Sequence, residues 1–132
     1  MNILFYRYNS IYEPDMINIF EQLHNQVFSI TQQMEGTIRD DECVELISDA
    51  LKQASYNFVF TVNFFPVISE VCNIFRIPYV SWIVDCPVME LYSHSIRNQC
   101  NRIFLFDYAL YEEFSSQNPG RIFYLPLGAN YL

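Results

Sequence analysis

Glycine is scarce: the chain of 132 residues has three. The first strand-to-helix turn, RYNSIYEP at 7–14, contains none. That excludes the GxGxxG dinucleotide fingerprint, whose glycines let backbone approach a pyrophosphate. A P-loop and the GxSxG nucleophile elbow are missing too. Basic charge is equally thin, with seven Lys and Arg against fifteen Asp and Glu and a formal charge of −8. No basic stripe is present to release counterions, which argues against a nucleic-acid backbone or an anionic membrane surface as partner. A sugar or another weakly charged partner is compatible with this balance. Cys43, Cys72, Cys86 and Cys100 show neither CxxC nor Cys/His ligand spacing, so no metal site is expected. Free thiols in a reducing cytoplasm are the default reading. No signal-type region precedes NILFYRY, and no apolar run reaches the roughly 18 to 20 residues that span a bilayer.

What is abundant is apolar and aromatic. Hydrophobic residues make up 52% and aromatics 17%, including ten Tyr and twelve Phe. A packed core is easily supplied, and 1–132 reads as a single domain. Some of these rings are expected at a surface that meets a ligand or another domain. NILFYRY (2–8) reads as a buried strand, and Met16, Phe20, Leu23 and Val27 recur at helical spacing behind Pro14, giving a helix over roughly 13–25. VFSI (27–30) is the next strand. TQQMEGTIRD (31–40) is a loop, or a loop with a short edge strand at Thr37 and Ile38. Asp40, Asp41 and Glu42 crowd a helix start whose apolar face carries Cys43, Ile47, Ala50 and Ala54. NFVFTV (57–62) and IPYVSWIV (77–84) are apolar on both faces, as central parallel strands must be, with a helix over 66–75 between them. A short helix around 88–97, the strand RIFLFD (102–107), the helix ALYEEF and the strand RIFYLP (121–126) complete the chain.

Strands alternating with helices predict an α/β fold. It is a Rossmann-like three-layer α/β/α sandwich around a mostly parallel sheet of five or six strands. With one clear strand between the first two helices, the preferred order is 2-1-3-4-5, extended to six. A strand at Thr37 and Ile38 would give 3-2-1-4-5-6 instead. In either order, ligands bind outside the carboxyl ends of the strands, at the switch point. Four polar clusters fall there: Arg7, Tyr8, Asn9 and Ser10; Asn63 and Phe64; Asp85, Cys86 and Pro87; Asp107 and Tyr108. Each has a plainer reading. Asp107 and Asp85 are placed to cap helices, Arg7 to pair with Asp85 or Asp107, and Asn63 to stabilise a turn. His94 reads as solvated, His24 as a charge partner at a helix end, and Cys86 as an inert thiol.

The succession NILFYRYNS, NFVFTVNFFPVISEVC, IPYVSWIVDCPV, RIFLFD and YLPLGAN resembles, in order, the amino-terminal domain of CgeB-like (spore-maturation type) glycosyltransferases. The WxxDxP strand end and PLGAN are its sharpest pieces. The resemblance implies a GT-B architecture, in which two Rossmann-like domains face each other across a cleft. This domain would be the acceptor-side half, inactive alone, with no cofactor of its own. The nucleotide-sugar donor would bind a carboxy-terminal domain that follows PLGAN. Metal-independent transfer to a sugar-acceptor molecule is the chemistry implied. On the acceptor side, Asp85 is the candidate base or hydrogen-bond partner. Arg7, Asn63, Asn9 and Asp107 would position the acceptor, and Tyr8 and Phe64 would offer a stacking floor. The competing reading is a non-catalytic protein-interaction or ligand-binding α/β module. A receiver-like domain ranks last, because RYNSIYEP and TVNFFP lack the acidic cluster and phosphoacceptor Asp where a receiver needs them.

Overall fold

The computed structural model describes residues 1–8, 10–31, 40–84 and 89–126, without side-chain detail at 31, 40, 89 and 90. Six strands form one sheet: β1 (Asn2–Arg7), β2 (Gln26–Thr31), β3 (Phe58–Val62), β4 (Tyr79–Ile83), β5 (Asn101–Leu105) and β6 (Ile122–Tyr124). The helices are α1 (Glu13–Gln22), α2 (Asp40–Gln53), α3 (Pro66–Phe75) and α4 (Tyr108–Phe114). Every pairing is parallel and the order is β2-β1-β3-β4-β5-β6, the extended form of the preferred prediction. Thr37 and Ile38 lie outside the described residues.

The order decides which face each helix covers. With right-handed crossovers, the one leftward step, β1 to β2, puts its helix on one face, and the four rightward steps put theirs on the other. The side chains follow. Leu4, Tyr6, Val59, Tyr79, Ile83, Ile103 and Leu105 turn to the face packed by Ile47 of α2, Ile68 and Cys72 of α3, and Leu110 and Phe114 of α4. On the opposite face, Ile3, Phe5, Phe60 and Val62 meet, of the described helices, α1 alone, through Met16, Ile17 and Phe20. Phe20 makes edge contacts to Phe58 and Phe60, with centroids 6.1 and 5.0 Å apart. Among the described residues no helix other than α1 packs on that face. A groove of about 420 Å³ runs along it between Met16 and Phe20 on one side and Val80, Trp82, Phe104 and Leu125 on the other.

Two predicted elements change. The first helix stops at Gln22 rather than near 25, because His24 takes a left-handed φ of 68°. Leu23 therefore leaves the apolar face and is 66% exposed. The helix expected over 88–97 is two 3-10 turns, Met89–Tyr92 and His94–Arg97. Ser93 separates them in an extended conformation, and its side chain accepts from the Ser95 amide, so the chain is capped afresh instead of continuing.

Candidate functional site

In the order 2-1-3-4-5-6 the switch point lies between β1 and β3, where successive crossovers depart in opposite directions. Asn63 occupies it. The β3 ladder ends at Val62, and Asn63 adopts a left-handed φ of 67°, which asparagine tolerates better than most residues. Its amide donates to the Trp82 carbonyl at 2.7 Å. Its side-chain Oδ1 accepts from the Val84 amide at 3.0 Å, and Nδ2 donates to the Tyr8 hydroxyl at 3.0 Å. The Thr61 hydroxyl donates to the Asn63 carbonyl at 2.6 Å. One side chain thus ties the ends of β1, β3 and β4 together.

Beneath this corner, the buried Tyr79 hydroxyl bonds Thr61 Oγ1 at 2.5 Å and accepts from the Phe65 amide at 3.1 Å. Burial raises its pKa well above the usual tyrosine value, and the bonds to Thr61 and Phe65 offset this only in part. It stays a neutral hydrogen-bonding hub. Beside it, Phe64 is 2% exposed and stacks on Tyr79 at 5.8 Å. Phe64 is therefore a core residue and not a stacking floor. Its neighbour Phe65 is half-buried and meets the edges of Tyr6 and Tyr8 at 5.6 and 5.3 Å.

Arg7 does not pair with Asp107. Its Nε lies 3.5 Å from Oε1 of Glu13, a carboxylate with no exposed surface, while the Arg7 side chain is 28% exposed. The other Glu13 oxygen accepts from the Tyr8 amide at 2.9 Å. Asp107 caps α4, accepting from the Ala109 amide at 2.8 Å. Three strand spacings, about 14 Å, separate its strand from β1. The structure thus brings together Arg7, Tyr8 and Asn63 and sets Asp107 apart. Asp85, Asn9, Cys86 and Pro87 lie outside the described residues. His94 is exposed in its 3-10 turn.

Glu13, Thr61, Phe65 and Tyr79 were not expected here. Thr61 left a trace, as a lone hydroxyl inside FVFTV, and Glu13 another, as a carboxylate just before Pro14. The rim presents aromatic edges, the Tyr8 hydroxyl bonded to Asn63, and an amide and a carboxylate that are engaged as well. That suits holding a neutral polyhydroxylated molecule better than moving protons. Among the described residues no group of His, Cys, Asp and Glu is placed to hold a metal ion, and Cys43, Cys72 and Cys100 are buried. Burial pushes the Cys72 and Cys100 thiols up, so neither is activated as a nucleophile. No described helix is long and apolar enough to cross a membrane. No family model matches the chain, and no match is found among curated proteins or solved structures.

Proposed function

We propose that this chain is the acceptor-side domain of a GT-B-type glycosyltransferase, binding the molecule that receives a sugar from a nucleotide-sugar. The observation that carries it is the rim at the β1/β3 switch point, where the half-buried rings of Tyr8 and Phe65 meet at 5.3 Å beside the Asn63 amide. Aromatic rings cover the apolar C–H face of a sugar, and a phenol hydroxyl bonds its rim. The parallel order and the sequence resemblance support the same reading. Asp85, the residue after Val84, remains the candidate base, and the donor would bind a carboxy-terminal domain.

Titrating the chain with a panel of mono- and oligosaccharides tests it by NMR. The expected result is shifts confined to Tyr8, Asn63 and Phe65, with nucleotide-sugars alone leaving these signals still. Silence from every saccharide, or nucleotide-sugar binding at this rim, would overturn the reading. One observation favours a second reading, a non-catalytic interaction module: the apolar groove that the described residues form beside Trp82. Saccharide silence together with shifts along Val80 and Phe104 on adding a protein partner would select it.

A further inference from the structure

The opposite end of the sheet has a different character. At the amino ends of β4 and β5 a cavity of about 580 Å³ is lined by Asn73, Arg76, Ile77, Pro78, Gln99 and Arg102. Arg121, just before β6, is not part of the lining but reaches the carbonyl of Gln99, which is. Three of the seven basic residues of a chain with formal charge −8 gather here. The Gln99 carbonyl accepts from Arg102 Nη1 at 2.8 Å and from Arg121 Nε at 3.1 Å, which draws two guanidinium groups onto one oxygen. Arg102 Nη1 also reaches the Asn101 carbonyl at 2.6 Å. Across the cavity Arg76 sits at a left-handed φ of 57° at the end of α3 and makes no side-chain hydrogen bond among the described residues.

No carboxylate among the described residues lies within 4.0 Å of these arginines. Glu70, one turn before Asn73, is instead bonded to the Ser95 hydroxyl at 2.8 Å. A guanidinium carries five N–H donors, so a carbonyl contact leaves most of each fork unused. Like charges drawn together without a counter-charge repel one another, and an anion reverses the sign of that interaction. The loop that presents Gln99 is also held from below. Asn101 Nδ2 donates to the Ser95 carbonyl at 2.7 Å, Asn118 Nδ2 to the Asn98 carbonyl at 2.9 Å, and the Ser69 hydroxyl to Asn101 Oδ1 at 2.5 Å. Asn101, Asn118 and Ser69 are buried, so the carbonyl between the two guanidinium groups is fixed before any ligand arrives.

We infer that this cavity is an anion site for the phosphate groups of a small phosphorylated compound, taken between Arg76 on one wall and Arg102 with Arg121 on the other. It stands apart from the switch-point rim and does not depend on the glycosyltransferase reading. Inorganic pyrophosphate is the probe. In an NMR titration at low ionic strength, shifts should appear at the Gln99 and Cys100 amides and at the Nε–H groups of Arg76, Arg102 and Arg121, and should fade with added salt. Arg76→Gln and Arg102→Gln should each weaken binding at least about 10-fold, while Arg102→Lys recovers part of the loss. Lys52→Gln, the same charge change on α2, should leave affinity unaltered, and overlaid spectra of the free variants show that each folds. Equal weakening by Lys52→Gln, or no shift at saturating pyrophosphate, overturns the inference. Sedimentation with phosphatidylcholine vesicles containing phosphatidic acid separates the sources of phosphate. Capture by vesicles without a response to pyrophosphate would refute a soluble ligand.

Discussion

At the carboxyl ends of β1, β3 and β4 the polar side chains answer one another. Asn63 spans three strands, Thr61 and Tyr79 share a bond, and Glu13 holds both Arg7 and the Tyr8 amide. At the amino ends of β4, β5 and β6, three arginines touch backbone carbonyls or, among the described residues, nothing. The end where open α/β sheets ordinarily take ligands is thus the more internally committed. Its polar groups serve the fold first, and whatever it binds meets rings and one hydroxyl. The other end keeps its charge uncommitted. Mutations at the two ends should separate accordingly.

Asn63→Ala should cost the most, about 3–4 kcal/mol in urea unfolding. It strands the Val84 amide and keeps a β-carbon at φ 67° while removing the side-chain hydrogen bonds that offset it. Asn63→Gly should cost about 1 kcal/mol less, since glycine accepts that φ freely. A loss below 1 kcal/mol for the alanine variant would mean the strand ends are not tied as described. Arg7→Ala should follow at about 2–3 kcal/mol, because the fully buried Glu13 carboxylate loses its ion pair with Arg7. A double-mutant cycle with Glu13→Gln should recover part of this.

Tyr79→Phe should cost about 1–2 kcal/mol at pH 7, leaving the Phe65 amide without its acceptor. The gap should then close in alkali. Burial holds Tyr79 protonated in the fold, so above the ordinary value of 10.0 only the unfolded chain loses this proton. The native protein then loses about 1.4 kcal/mol of stability per pH unit from that group, and the phenylalanine variant does not. Unfolding curves at pH 7, 10 and 11 check the sign. Smallest, and opposite in direction, Arg76→Gly should raise stability by about 0.5–1 kcal/mol, seen as a higher Tm. It relieves a left-handed φ of 57° and breaks no side-chain bond among the described residues.

The strand order was readable because one clear strand, VFSI, lies between the first two helices, while FVFTV and YVSWI, apolar on both sides, read as central parallel strands. Asp107 was readable as a cap from its place between a strand and a helix. The Phe64 and Phe65 pair was not. Strand alternation would have sent Phe64 to the face of Val62, but the left-handed turn at Asn63 breaks that alternation and delivers it to the opposite core. Which of two adjacent rings faces inward therefore depends on one backbone angle that local patterning does not encode. Glu13 was hidden differently. Its partners Arg7 and Tyr8 precede it by five or six residues, and only the turn of the chain out of β1 brings them within reach.

The apolar groove beside α1 has a practical consequence. Trp82 is the only tryptophan, it lies on that face, and its ring centroid is 6.4 Å from Tyr12 of the β1–α1 turn. Its indole fluorescence is therefore a single-site optical probe. Water reaching the groove shifts the emission to the red, and any molecule laid over Val80 and Phe104 shifts it to the blue. An anion bound at the far end of the sheet leaves the colour where it was.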